Sequence, residues 1–252
     1  MRMRCENRII GMVPAKLAST RLPMKNLALL GGRPLIYYAV KAARDAGVFD
    51  EIIINAEDAI FEKIARRYGT GFYKRPGALV RKNTKTDEVI YDFLKKHPCR
   101  ALAWISPIAP LQTGAEVRGA VKYFLKKKLD SLITVRDEQV HCLYSGRPVN
   151  FKFGEIFART QDLRPVNPFV YSVMMWRPQA FMKSFEKNGY GLLSGKAGFY
   201  PVSRLSSVII KNKTDLMLAD CIMRSAKGKG GYKVKYDGIA PRRVGRRTGE
   251  QR

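Results

Sequence analysis

IIGMVPAKLASTRLPMKN, Ile9 to Asn26, is the stretch on which the reading of this chain turns. Its first five residues form a short apolar run of the kind found in a buried parallel strand. Pro14 then closes the strand, because it has no N–H to give to a central ladder. The loop that follows holds Lys16, Ser19, Thr20, Arg21 and Lys25. Open α/β sheets bind ligands at the carboxyl ends of their strands. Three cations and two hydroxyls placed there predict an anion cradle, most simply for phosphate. The competing reading is a solvated basic loop in a chain that is basic throughout.

Working outward, PLIYYAVKAARDAG predicts a helix from Pro34, with Leu35, Tyr38, Ala39, Ala42 and Ala46 on one face and Gly47 as its cap. Glu51–Asn55 reads as the second strand, and Asp58 caps a helix that runs through Tyr68. Gly71–Lys74 is a third short strand. Thr84-x-x-Asp87 and Thr113-x-x-Glu116 read as capping boxes for helices ending near Lys96 and Lys127. Ala101–Ile105 and Asp130–Val135 lie between and after them as strands. This alternation predicts a parallel sheet covered by helices on both faces.

The pattern changes at Glu138. Residues 138–177 read as a β-rich insertion, a dimerisation or substrate flap, and Val170–Trp176 as an apolar strand. A helix from Pro178 to about Phe185, a strand Ser207–Ile210 and a helix capped by Thr214 through Met223 follow. These bounds give one domain over 1–223 and a basic tail, expected to be disordered, over 224–252.

Charge is the unusual quantity: 47 Lys+Arg against 21 Asp+Glu give +26. The tail carries ten Lys/Arg against two acids, which leaves about +18 on the body. Such a balance attracts polyanions, but general surface adaptation produces it too. The four cysteines Cys5, Cys99, Cys142 and Cys221 are far apart, which argues against a zinc ribbon or a disulfide framework. The two histidines are too few for a typical histidine-based metal site. His97, beside Pro98, reads as exposed, and His141 as a strand residue. No apolar run approaches the ~20 residues of a membrane span, so a cytoplasmic protein is expected.

Several motifs occur in a familiar order: VPAKLASTRLPMKN, LGGRPLIYYAV, EIIIN with Glu57-Asp58 after it, Lys74-Arg75-Pro76, SPIAPLQ, DSLITV, RTQDLRPV and TDLMLAD. Together they resemble the CMP-sugar synthases, cytidylyltransferases that activate acidic sugars. The acylneuraminate branch is nearer, and ASTRLP also resembles the 3-deoxy-manno-octulosonate branch. The resemblance spans Arg8 to Met223. It implies a three-layer Rossmann-like nucleotide-diphospho-sugar transferase fold, usually a homodimer, acting on CTP, an acidic sugar and Mg²⁺. By resemblance Lys16, Arg21 and Lys25 meet the triphosphate, with Ser19, Thr20 and Asn26 in the same loop. Arg75 and Thr86 match positions near the cytosine. Read without the family, these two are a surface arginine before proline and a helix-capping threonine.

The departures from the family pattern are specific. Lys16 replaces a usual arginine and loses its bidentate fork. SPIAPL replaces QPTSPL, so Ser106 and Ala109 stand where polar residues line the sugar site. An NG element is absent, which leaves Gln161, Asp162 and Tyr171 as sugar-site candidates beside Ser106. The family's metal-binding D-x-D pair aligns with Ile209 and Lys211. Lys211 could supply part of the metal's charge, Asp58 or Asp215 could hold the metal, or nucleotide could bind without the chemistry. Three functions follow: a cytidylyltransferase, an inactive nucleotide- or sugar-binding relative, or a basic protein whose tail contacts nucleic acid.

Overall fold

Strand β1 is Ile9–Pro14, with residues 10–14 all buried. In the computed structural model, which describes residues 7–81, 83–227, 232 and 234, β1 is flanked on both edges. It pairs in parallel with β4 (Glu51–Ala56), Ile10 opposite Glu51, and with β6 (Ala101–Ile105), Ile9 opposite Ala101. A strand paired on both edges and covered on both faces must be apolar along its whole length, so its sequence does not alternate.

The central sheet has seven strands in the order β11 (Ala197–Pro201), β7 (Ser131–Val135), β10 (Phe169–Trp176), β6, β1, β4 and β5 (Gly71–Lys74). Neighbours are parallel except at β10, which runs antiparallel to both β6 and β7. The fold is therefore a mostly parallel Rossmann-like α/β sheet, as expected. Two-residue hairpin strands, β2 (Leu29–Leu30) with β3 (Arg33–Pro34) and β8 (Leu143–Tyr144) with β9 (Arg147–Pro148), lie outside it.

Helices cover both faces. On one face α1 (Leu35–Ala46), α2 (Ala59–Arg67) and α4 (Gly114–Lys126) bury Val40, Phe61 and Phe124 against the sheet. On the other, α3 (Thr86–Lys96) and α5 (Pro178–Asn188) bury Phe93 and Phe181 with Trp176. A smaller cluster of Leu30, Leu35, Ile210 and Ala219 fixes α6 (Lys213–Lys227) to the β2–β3 hairpin. Gly114 is obligatory where α4 meets the end of α1, since a Cβ there would lie 2.5 Å from that of Asp45.

Several local expectations fail for identifiable reasons. Ser207–Ile210 is not a strand. The segment turns through Ser203–Ser207 and meets the sheet's end through one backbone bond, Ile210 N–H to the Ile108 carbonyl at 2.8 Å, and through Arg136 Nη1 donating to Ser207 Oγ at 3.1 Å. The α6 cap is Asn212, whose side chain accepts from Asp215 N–H at 3.0 Å; Thr214 is already inside the helix. Helix α3 starts at Thr86, with Glu88 accepting from Lys85 N–H at 2.8 Å. Asp87 is instead buried, and accepts from Gly191 N–H at 2.6 Å and Leu192 N–H at 3.1 Å. His97 is half-buried, stacked on Phe93 with ring centroids 4.1 Å apart, and burial pushes its pKa down. His141 belongs to no strand and stacks on Phe157 at 3.9 Å.

Within 138–168 the regular structure is the β8–β9 hairpin, one bridge between Glu138 and Val166, and a short 3₁₀ turn at Thr160–Asp162. Helix α6 runs on to Lys227, and the remaining tail lies outside the described residues apart from Tyr232 and Val234. No helix among the described residues is long and apolar enough to cross a membrane.

Candidate active site

The loop after β1 is held at three successive residues by side chains from elsewhere. Arg75, which follows β5, donates from Nη2 to the Ala15 carbonyl at 3.2 Å. Asn26 donates from Nδ2 to the Lys16 carbonyl at 3.0 Å. Glu57, one residue beyond β4, accepts the Leu17 N–H at 2.7 Å. The backbone also joins Ala15 N–H to the Asn55 carbonyl at 2.9 Å.

Arg75 is itself fixed. Its Nε donates to Asn55 Oδ1 at 3.0 Å and its Nη2 to the Asn55 carbonyl at 2.7 Å. Asn55 is fully buried and Arg75 is 7% exposed. A guanidinium at that depth needs such partners, because an unpaired buried charge is strongly destabilising. Burial pushes the Arg75 pKa down, and the nearby Glu57 carboxylate opposes that shift. The reading of Arg75 as a plain surface arginine is thereby excluded. Asn55 and Glu57 are the site residues that sequence reasoning missed as such. Their signal was present, since both flank the end of a buried strand in EIIINAED.

Above this loop lies a cavity of ≈ 280 Å³. Of the expected residues, Lys16, Ser19, Lys25, Asn26, Arg75, Thr86 and Ser106 line it together. Arg81 and Trp104, which the sequence did not single out, line it too. Thr86 opens α3 and faces the cavity, so it is not the cap. Thr20 and Arg21 are exposed and outside the cavity wall. Arg21 is nevertheless close enough to act on Lys25. Burial first, then the Arg21 and Lys16 charges, pull the Lys25 pKa below its ordinary 10.5, while Asp215 pushes it back. Lys25 is positioned by a turn in which Met24 takes the left-handed φ of 47°.

The remaining candidates lie elsewhere. Gln161 and Asp162 are exposed, with Asp162 bound to Arg159 at 2.8 Å. Tyr171 is 49% exposed, has φ 57° at the irregularity in β10, and meets Phe169 edge-on. Ala109 is buried. Lys211 is exposed and outside the cavity wall; its N–H donates to Asp215 Oδ2 at 2.7 Å.

The residues present do not fit Mg²⁺. Asp58 accepts Ile60 N–H at 2.8 Å as the α2 cap. Asp215 uses Oδ2 on the Lys211 and Asn212 N–H groups at the start of α6. Neither lines the cavity, and among the described residues no group of three His, Cys, Asp or Glu could hold a metal ion. Mg²⁺ asks for oxygen donors in octahedral array, which Ile209 and Lys211 do not offer.

Residues 10–109 match the cytidylyltransferase family model. Over that span the chain is similar to cytidylyltransferases, and the curated proteins it resembles are CMP-sugar synthases at low identity. The matched span runs from β1 past β6 and contains every residue of the cavity wall, Pro14 to Ile108. The chain is 20% identical over 242 residues to the N-acylneuraminate cytidylyltransferase of Streptococcus agalactiae, covering 90% of this chain and 57% of that protein. It thus spans little more than half the length of that relative. It is 39% identical over 57 residues to the pseudaminic acid cytidylyltransferase of Campylobacter jejuni, covering 23% of this chain and 25% of that one. Among solved structures, a CMP:2-keto-3-deoxy-manno-octonic acid synthetase complexed with CTP superposes with a TM-score of 0.64. That match is 11% identical and covers 86% of this chain and 99% of the other. The chain shares the fold of that structure, and its own cavity opens at the carboxyl ends of β1 and β6.

Proposed function

We propose that this chain transfers a cytidylyl group from CTP to an acidic sugar of the sialic, pseudaminic or 3-deoxy-octulosonic type. The observation that carries the reading is that the whole cationic cavity falls inside the span matching the cytidylyltransferase family. Lys16, Lys25 and, from just outside, Arg21 bind the triphosphate and offset charge that builds on it. Arg75, Asn26 and Glu57 hold the loop that presents the lysines. Thr86 and Trp104 border the space for the base, and Ser106 the space for the sugar. The sugar hydroxyl oxygen forms a bond to the α-phosphorus. The bond from that phosphorus to the bridging oxygen breaks, and the electron pair leaves with pyrophosphate. The hydroxyl proton passes to solvent.

A homodimer is the assembly we expect, with the exposed apolar side chains of 138–168 supporting it: Phe153, Ile156 and Phe157 are 68, 98 and 72% exposed. The second reading, a nucleotide-binding relative without turnover, is favoured by Ile209 and Lys211 at the family's metal positions. Pyrophosphate release from CTP with a panel of acidic sugars separates the two. Release with at least one sugar supports the transferase, while CTP binding without release from any sugar supports the relative. For the basic tail, salt-dependent RNA binding that survives removal of residues 224–252 unchanged sinks a polyanion role.

A further inference from the structure

Among the described residues, Lys16, Lys25, Arg75 and Arg81 line the cavity, and no aspartate or glutamate does. From that donor set we infer that the chain binds CTP as the free triphosphate, with cationic side chains in the place of a divalent metal. This rests on the proposed nucleotide reading. A free nucleoside triphosphate carries about −4 near neutral pH, of which the terminal phosphate alone supplies about −1.5 to −2. The buried Arg75 is balanced by Glu57, so Lys16, Lys25 and Arg81 in the wall and Arg21 beside Lys25 are the four cations that match that charge, whereas a magnesium complex, at about −2, leaves a cationic excess.

The carboxylates near the loop are otherwise occupied. Asp58 and Asp215 cap helices α2 and α6. Glu57 Oε1 holds the Leu17 N–H. Its Oε2 is buried without a hydrogen-bond partner, but Glu57 is outside the cavity wall and its charge acts on buried Arg75. Lys25 already carries repulsion from Arg21 and Lys16, which an anion relieves and a dication adds to.

Calorimetric titration of the full chain with CTP, once in excess EDTA and once in millimolar MgCl₂, tests this. The inference expects binding in EDTA that is equal to or tighter than binding in MgCl₂. Affinity that appears only with MgCl₂, or improves about tenfold or more on adding it, overturns the inference and leaves the nucleotide reading standing. Absence of CTP binding in both conditions overturns both. Arg81→Gln adds an independent arm, because a metal would take over part of the neutralisation. Its loss of affinity should be larger in EDTA than in MgCl₂, and an equal or reversed loss contradicts the inference.

Discussion

The loop after β1 and the excursion at 138–168 are both irregular chain, yet they are built on different principles. The first is fixed at residues 15, 16 and 17 by buried Arg75, buried Asn26 and Glu57. The second is tied by polar staples from side chains nearer the surface: Gln139, which donates to the Gln161 and Leu163 carbonyls at 3.0 and 3.2 Å, and Asn150. Asn150 donates to the Val140 carbonyl at 2.8 Å and the Arg164 carbonyl at 2.9 Å, and accepts Cys142 N–H at 3.1 Å. Its aromatic rings stack on one another, His141 on Phe157 and edge-on to Phe151, and Phe157 stays largely exposed. Buried polar bonds specify one backbone conformation because an unmade bond there is costly. Stacked exposed rings add contact without that penalty, and so specify less. The difference teaches that only the first loop has its ligand-facing groups set before a ligand arrives.

The comparison breaks most severely at Arg75. Arg75→Ala removes the bonds to Asn55 and Ala15 and leaves Glu57 without its opposing charge. Unfolding in urea should show a loss of about 3–5 kcal/mol, with CTP binding lost as well. A loss below about 1 kcal/mol, the scale of one ordinary hydrogen bond, would mean that the loop does not depend on this buried charge.

Lys25→Ala comes next. It should weaken CTP binding by about 1.5–3 kcal/mol, the scale of a charged hydrogen bond, while leaving stability nearly unchanged. The wild-type protein adds a pH signature. With the Lys25 pKa held below 10.5 in the free fold, the folded state binds fewer protons than the unfolded one in that window. Stability of the free protein therefore rises as pH climbs through the lowered pKa. CTP restores the charged form, so binding takes up protons there and affinity falls as pH rises. Titration in two buffers of different ionisation enthalpy reads the uptake, and Lys25→Ala should abolish it.

The smallest effect belongs to the other region. Asn150→Ala should cost about 1 kcal/mol and raise amide exchange within 138–168, with CTP affinity unchanged. Altered CTP binding in that variant would show that the excursion also shapes the cavity.

Much of this was legible in the chain. Strands β1, β4, β5 and β6 were read within a residue: the buried β1, β4 and β6 by their apolar runs, and the edge strand β5 by its placement between Gly69 and Arg75-Pro76. Gathering Lys16, Lys25, Asn26, Arg75 and Thr86 needed the motif order as well as the residues. The direction of β10 was not legible, since no helix separates it from β7 and its apolar run fits either direction. Ser207–Ile210 misled through its β-branched residues, which tertiary placement across the sheet's end overrides. Arg81 and Trp104 carried no local signal, because only the fold brings residues after β5 and residues of β6 to the same cavity.

Trp104 offers the most direct test that CTP occupies this cavity. The chain has two tryptophans; Trp104 lines the cavity, while Trp176 is fully buried with its Nε1–H donated to the Leu192 carbonyl at 2.9 Å. Titration with CTP should change the tryptophan emission saturably, and Trp104→Phe should remove that change while preserving the fold. An unchanged emission, or the same change in Trp104→Phe, would contradict the placement of CTP between the β1 loop and β6.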